Sequence, residues 1–164
     1  MNVTESKRPT PEIRLATMEE AASISEVLLH SFIEYKSQYT PDGFAATTPT
    51  VLQIKHRLTE GPVWVALLEG TVVATVSAVA KGGSVYVRGM AALPAARGHR
   101  IGELLMDSVE QFTSSQECKR LFLSTTPFLN RAIALYERLG FVHTAEGPHD
   151  LHGTPLFTME KMLE

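Results

Sequence analysis

The 164-residue chain has little cysteine, little net charge and no long apolar run. Its one cysteine, Cys118, cannot form a disulfide within the chain or build a thiolate cluster around a metal. Fifteen basic and 18 acidic side chains leave a net charge of −3, so no overall positive field attracts nucleic acid. No stretch approaches the ~18 apolar residues that a membrane span requires. These shortages favour a cytoplasmic protein that binds neither nucleic acid nor membrane.

What the sequence contains is typical of one globular domain. Hydrophobic residues make up 44% and charged residues 20%, and the length is enough to bury a single core. The first eleven residues, Met1 to Pro11, are polar and include two prolines, which predicts a short disordered tail rather than a signal peptide. The folded domain is therefore expected to span residues 12–164.

Residue periodicity predicts an α/β fold. Thr17 and Glu20 form a capping box that starts a helix reaching Phe32. A second helix has Pro49 in its first turn and ends at Gly61, after an irregular, aromatic segment from 34 to 48. In this helix Leu52, Ile54, His56 and Leu58 are expected to face mostly inward or sideways. Further helices are predicted after Gly102 and over 130–139, and strands over 12–16, 63–68, 71–80, 84–93, 121–125, 141–144 and 154–163.

The predicted element order is β-α-α-β-β-β-α-β-α-β-β. A right-handed crossover helix after the fourth strand makes strands four and five parallel neighbours, whereas the remaining hairpins are antiparallel. The expected architecture is a central mixed, mostly antiparallel sheet of about seven strands, with helices on both faces.

The segment Leu93 to Gly102 has the pattern of an anion site. It reads LPAARGHRIG, and it joins a strand to an apolar helix. Backbone N–H groups at a helix N-terminus favour phosphate, and Arg97, His99 and Arg100 add positive charge. The alternative is a surface loop with a solvated basic face. The segment matches neither the P-loop nor the dinucleotide glycine pattern.

A second informative segment follows from Ala132 to Phe141, which reads AIALYERLGF. By itself this pattern is that of an amphipathic helix with a core tyrosine, Tyr136, stopped by Gly140. Two minor features are also open. His149 and His152 lie in a predicted turn and favour a solvated loop over a metal site, and Cys118 has no histidine near it in sequence to activate it as a nucleophile.

Taken together, the two segments resemble the GNAT superfamily, the Gcn5-related N-acetyltransferases, over residues 12–163. Arg97 to Gly102, preceded by Pro94, matches the family's coenzyme motif, and Leu135 to Phe141 matches its Leu-Tyr-x-x-x-Gly-Phe segment. Arg100 stands where the family commonly has glycine. We expect this departure to be tolerated if the backbone φ at Arg100 is negative.

The resemblance implies a single-domain GNAT fold and a reaction with acetyl-CoA as acetyl donor, without a metal. It implies that a backbone N–H at or next to Ala92 stabilises the oxyanion and that Tyr136 protonates the leaving sulfur. Asn130 is expected to contact the coenzyme arm, or to cap its helix, or both. The remaining coenzyme contacts implied are backbone pairing of the pantetheine arm at Met90, Ala91 and Ala92, and pyrophosphate binding by Arg97, Gly98, His99, Arg100, Ile101 and Gly102.

The general base and the acceptor are less well defined. Some relatives carry a glutamate on the fourth strand, but Tyr86 to Arg88 has no carboxylate. Glu34, Asp42 and His30 are candidates, each also an ordinary surface or capping residue. We expect direct transfer to a primary amine of a small molecule. The alternatives are a peptide or protein N-terminus as acceptor, or a coenzyme sensor without turnover. A homodimer through residues 141–163 is left open.

Overall fold

The computed structural model describes residues 9–164. The predicted tail falls largely on residues 1–8, which lie outside the described residues, and residues 9–11 precede the first strand. Within residues 9–164, eight strands form an open, mostly antiparallel sheet in the order β1-β2-β3-β4-β5-β8-β6, with β7 paired to β8. The strands are β1 Glu12–Leu15, β2 Val63–Leu68, β3 Thr71–Lys81, β4 Ser84–Ala92, β5 Arg120–Thr125, β6 Val142–His143, β7 His149–Leu151 and β8 Thr154–Met162.

Five α-helices lie within the described chain: α1 Ala21–Phe32, α2 Pro41–Thr47, α3 Val51–Glu60, α4 Ile101–Ser115 and α5 Asn130–Arg138. Short 3-10 turns cover Met18–Glu20, Ile33–Gln38 and Pro94–Ala96. The predicted capping box is present, with Thr17 N–H donating to Glu20 Oε1 at 2.9 Å. The predicted fold class and the parallel pairing of β4 with β5 are confirmed.

Three local predictions were wrong. The segment from 34 to 48 contains α2, because Thr40 caps it by accepting from Gly43 N–H at 3.0 Å and Pro41 suits its first turn. Pro49 precedes the helix instead of opening it, since Thr50 is the N-cap of α3. The predicted turn at His149 to His152 begins with β7, where His149 Nε2 lies 3.0 Å from Thr158 Oγ1.

The inward face of α3 also differs from the prediction. Ile54 is buried and Leu58 packs against the core, but Leu52 is 77% exposed and His56 is also exposed. The predicted set followed a spacing of two, which belongs to a strand. Helical spacing from Ile54 reaches positions 57 and 58, so it is Arg57 that accompanies the apolar face.

Helices cover both faces of the sheet, as predicted. Trp64 and Ala66 of β2 pack in a core cluster with Leu105 and Val109 of α4. The alternate residues Val63, Val65 and Leu67 pack in a second cluster with residues of α1 and α3, including Ile24 and Ile54. A strand buried on both sides is apolar at every position, which explains the continuous run in β2.

A bulge in β4 changes which face its side chains occupy. Thr75 pairs with Ala91 and Ser77 pairs with Arg88, so between these pairs the single residue Val76 of β3 opposes two residues of β4, Gly89 and Met90. Gly89 sits in this bulge with φ +62°. Before the bulge, Val85 and Val87 pack in the α4 cluster, whereas Ala91 beyond it packs in the α1 and α3 cluster.

Strands β4 and β5 separate just before the bulge. Their parallel pairing covers Ser84 with Arg120, Val85 with Leu121 and Tyr86 with Phe122, and pairing ends there. The C-terminal part of β4 stays attached to β3 but loses its neighbour on the other side. A wedge-shaped opening therefore forms in the middle of the sheet.

Candidate active site

The opening between β4 and β5 leads into two clefts. The first, here called the loop cleft, has a volume of about 410 Å³. It lies between the end of β4, the segment from Pro94 to Arg100 and the start of α4, and helix α5 closes its far side. Among its lining residues are Met90, Ala91, Ala92, Arg97, Gly98, Arg100, Ile101, Gly102 and Tyr136, so nine of the predicted site residues come together here.

The start of α4 faces the loop cleft with backbone donors. Leu104 N–H is the first in the helix to bond back, to Arg100 O at 3.1 Å. The N–H groups at Ile101, Gly102 and Glu103 precede it, and such first-turn groups have no partner within their own helix. The side chain of Ile101 is buried in the core, so this residue offers only its backbone. The arrangement suits an anion such as a phosphate.

Charged side chains surround the mouth of the loop cleft. Arg97 donates to Glu34 at 3.3 Å, and Arg100 donates to Glu103 at 2.7 Å. Arg131 and Arg138 of α5, which the sequence analysis missed, also line the cleft. Their position on the helix face toward the loop adds positive charge where the phosphate is expected.

The backbone of Arg100 does not have the negative φ that we expected for a residue in place of glycine. Its φ is +58°, in the left-handed region, and not negative. An L residue in this region costs about 1 kcal/mol, which is why glycine is common at such positions. Arg100 is the N-cap of α4, and its left-handed conformation turns the chain into the helix.

Gly102 lies directly against Leu135 of α5. A Cβ at this position would lie 2.6 Å from Leu135 Cδ2, so a larger residue would require the Leu135 side chain to shift. The first turn of α4 therefore packs against the helix that carries Tyr136. The two segments identified in the sequence are in direct contact in the fold.

The exposed backbone of β4 supplies a further donor. Leu93 N–H bonds to Val73 O at 2.9 Å, so the backbone of Leu93 points toward β3. Because successive residues of an antiparallel strand point their N–H groups to opposite sides, Ala92 N–H points into the wedge. Beyond Tyr86 no strand pairs with that side of β4 in the described chain.

The second cleft, here called the strand cleft, has a volume of about 300 Å³. It lies on the other side of the wedge, between the middle of β4 and the end of β5. Apolar walls come from Tyr39, Leu151 and Leu156, and hydroxyls come from the segment 124–126. Arg57 of α3 and Arg88 of β4 are its charged lining residues among residues 9–164.

Tyr136 stands where the two clefts meet. Five residues line both of them: Phe32, Met90, Leu129, Ala132 and Tyr136. Tyr136 is 7% exposed, and burial followed by the nearby Tyr39 raises the pKa of its hydroxyl. The phenol therefore remains protonated at neutral pH and can act as a proton donor.

Two predicted coenzyme residues lie outside this constellation. His99 and Asn130 are not among the residues lining the loop cleft. Asn130 is exposed and is the first helical residue of α5, and the N-cap position belongs to Leu129, so the capping interpretation was wrong. The aromatic residues of the segment from 34 to 48 lie in different places: Tyr35 lines the loop cleft, Tyr39 lines the strand cleft, and Phe44 is buried against Tyr39.

The three candidate general bases lie away from the strand cleft. Glu34 is held by Arg97 at the mouth of the loop cleft, and His30 and Asp42 are exposed on α1 and α2. Cys118 lines neither cleft. Over the part of the chain that the structure describes, no cluster of three or more His, Cys, Asp or Glu could hold a metal ion. Nor does any helix between residues 9 and 164 have the length and apolarity to cross a membrane.

Comparison with known proteins agrees with this geometry. Residues 25–141 match the model of the Acetyltransferase (GNAT) family. A similar protein is the uncharacterized N-acetyltransferase YjgM of Escherichia coli K12, which is 31% identical over 142 residues, covering 82% of this chain and 83% of YjgM. The chain therefore belongs to the GNAT family of acetyltransferases, enzymes that use acetyl-CoA.

Solved structures show the same fold. The PaiA N-acetyltransferase of Thermoplasma acidophilum, solved with coenzyme A, superposes with a TM-score of 0.78 at 16% identity, over 93% of this chain and 99% of PaiA. A GNAT acetyltransferase of Elizabethkingia anophelis, solved with acetyl-CoA, gives 0.68 at 16% identity, over 94% and 99% of the two chains. At this identity the likeness supports the fold alone.

Proposed function

We propose that this acetyltransferase moves the acetyl group of acetyl-CoA directly to a primary amine of a small molecule. The observation that carries the proposal is the meeting of two clefts at one buried phenol, Tyr136. The loop cleft suits the coenzyme because it combines helix N-terminal donors with arginines. The strand cleft, at about 300 Å³, has the volume of a small-molecule site.

Different groups at the wedge have different roles in the proposed reaction. Ala92 N–H would donate to the oxygen of the thioester carbonyl as negative charge develops there. Tyr136 O–H would protonate the departing sulfur, since burial keeps the phenol in its acid form. Met90 and Ala92 would pair their free backbone edge with the pantetheine arm, and the first turn of α4 would bind the pyrophosphate.

The strand cleft offers no carboxylate to take the amine proton, since none of its lining residues in the described chain is Asp or Glu. We propose that the acceptor loses its proton to water and attacks as the free base. The transfer is direct, because neither cleft presents a nucleophile paired with a base that would form an acetyl-enzyme.

The test is release of free thiol from acetyl-CoA across a panel of acceptors. The panel contains amino acids, monoamines, polyamines and peptides with free N-termini. Turnover with one class of small amine supports the proposal, and turnover confined to peptides assigns the acceptor to a protein N-terminus instead. Tight coenzyme binding without acceptor-dependent thiol release would identify a sensor.

A further inference from the structure

The strand cleft has an unusual charge balance for a site that receives an amine. Its charged lining residues, within the described chain, are Arg57 and Arg88. A protonated amine would be repelled by two guanidinium groups, and a simple diamine or polyamine even more so. The walls therefore disfavour a polycation and favour a ligand that also brings negative charge.

The two arginines share one acidic neighbour. Arg88 Nη2 donates to Glu60 at 2.7 Å, but the buried Nε of Arg88 has no hydrogen-bond partner among the residues that the structure describes. Arg57 forms no hydrogen bond or ion pair with any residue in the described range 9–164. Burial, with a further contribution from the charge of Arg88, lowers the pKa of Arg57. Two guanidinium groups and one carboxylate leave one positive charge beside the cleft without compensation.

An uncompensated cation in a half-buried position is unfavourable unless an anion joins it. Helical spacing on α3 places Arg57 on the same side as Ile54 and Leu58, which pack against the core. Nothing in the packing of α3 requires a charge there, since a methionine or leucine would suit the apolar face. The charge is therefore better explained by a ligand than by the fold.

The position of Arg57 also sets the distance between its guanidinium and the acetyl carbonyl expected near Ala92. A Cβ built on Gly89 would lie 3.1 Å from Arg57 Nη1, so the guanidinium lies against the β4 bulge. From Gly89 to Ala92, where the acetyl carbonyl is expected, the strand spans about 10 Å. That length leaves room for a hydrogen bond of about 2.9 Å to a carboxylate and a short carbon chain before the amine.

We propose that the acceptor is an amine that also carries a carboxylate, of the amino-acid class, and that Arg57 binds this carboxylate with help from Arg88. This inference rests on the proposed function, whose amine it specifies. A single carboxylate matches the single uncompensated charge, and the planar guanidinium of Arg57 can hold it with two hydrogen bonds. The apolar walls at Tyr39, Leu151 and Leu156 would hold the rest of the acceptor.

The test compares amino acids with their carboxamides, which keep the shape and remove the charge. We expect the acid-to-amide ratio of kcat/KM to fall by about 10- to 100-fold from wild type to Arg57→Gln, the value of a charge-assisted hydrogen bond. The ratio is compared between variants because acid and amide differ in amine pKa, and this difference cancels when one ratio is divided by the other.

Lys55→Gln is the matched control, because it removes a positive charge from the exposed side of the same helix. It should keep the wild-type ratio. Arg57→Met adds a readout independent of turnover: removal of an uncompensated charge should leave the thermal midpoint equal to or above that of wild type. An Arg57→Gln variant whose acid-to-amide ratio equals that of wild type overturns the inference and leaves the proposed function standing.

Failure of the proposed function gives a different pattern. If no acceptor releases thiol, calorimetry measures binding of N-acetyl amino acids, and of their amides, to protein saturated with coenzyme A. Binding of the acid alone, lost in Arg57→Gln, supports a carboxylate site in a protein that does not turn over. Equal binding of acid and amide, or none of either, overturns the carboxylate site as well.

Discussion

The loop cleft and the strand cleft share a wall but are built in different ways. The loop cleft uses mainly backbone donors from one continuous segment, from Met90 to Gly102, with side chains of α5 opposite. The strand cleft uses side chains from elements scattered between Phe32 and Leu156. A site made of backbone in one segment imposes a readable pattern of glycines and turns. A site made of side chains gathered by the fold does not.

The charges of the two clefts sharpen the contrast. Each cationic residue of the loop segment has an acidic neighbour, Glu34 for Arg97 and Glu103 for Arg100. In the strand cleft, Arg57 and Arg88 share one acidic neighbour among the described residues, Glu60, which is ion-paired with Arg88. In the loop cleft, an incoming phosphate can replace the carboxylate that pairs with each arginine. In the strand cleft, one positive charge is uncompensated before any ligand binds.

The largest loss of activity is expected from a substitution at Tyr136, which lines both clefts. Tyr136→Phe removes the hydroxyl and keeps the packed ring, so kcat should fall by about 100- to 10,000-fold, the usual contribution of a general acid. Affinity for coenzyme A should stay close to wild type, and calorimetry checks this. A variant with unchanged kcat would remove Tyr136 from the mechanism.

The pH dependence separates the acceptor from the enzyme. Below the pKa of the acceptor amine, kcat/KM should rise about tenfold per pH unit, because only the free base attacks. Burial raises the pKa of Tyr136, so its acid form persists above the ordinary value near 10. Steady-state rates from pH 6 to 10 should therefore show a rise and a plateau. A descending limb within that range would show that some other acid is required.

A smaller effect is expected at the bulge that adjoins the strand cleft. Gly89→Ala places a side chain at φ +62° and within 3.1 Å of Arg57 Nη1. Gly82→Ala is its control, with φ +56° and open space around the new Cβ. Both should lose about 1 kcal/mol of unfolding free energy from left-handed strain. Only Gly89→Ala should raise the acceptor KM, and equal KM values in both variants would separate the bulge from the acceptor site.

The smallest effect is expected at the entrance of the loop cleft. Arg100→Gly relieves left-handed strain at φ +58°, whereas Arg100→Ala keeps it, and both lose the ion pair with Glu103. The glycine variant should be the more stable by about 1 kcal/mol in chemical denaturation. Both should bind coenzyme A a few-fold more weakly as a positive charge is lost. Equal stabilities would mean that the Arg100 backbone is not strained.

Periodicity and turn chemistry predicted most of the fold because they are local. The runs 63–68 and 71–80 became β2 and β3 within one residue, and the glycine-rich turns between strands set the hairpins. The helix α2 was not predicted, because its seven residues are short of apolar spacing and depend on the Thr40 cap and on contacts with Thr154. Strand β7 likewise depends on pairing with β8, which no local pattern reveals.

The residues of the candidate site also differ in whether a local pattern or a tertiary contact places them. Ala92, Arg97 and Gly102 could be predicted, since the segment that contains them is contiguous. Arg57 was missed, although its spacing from Ile54 would have placed it beside the core. Its relation to Arg88, 31 positions later in the chain, depends on how α3 packs against β4, and that is a tertiary contact.

The short pairing of β4 with β5 has a mechanical consequence. One half of the sheet, β1 to β4, meets the other half, β5 to β8, along three rungs of parallel ladder, from Ser84 with Arg120 to Tyr86 with Phe122. A ligand that bonds to the free edge at Ala92 adds rungs to that seam. At 100 times its Kd, any native-state ligand adds about 2.7 kcal/mol of stability. Backbone amide hydrogens of β4 and of β5 should then exchange more slowly together, because the ligand suppresses local opening between the two halves of the sheet.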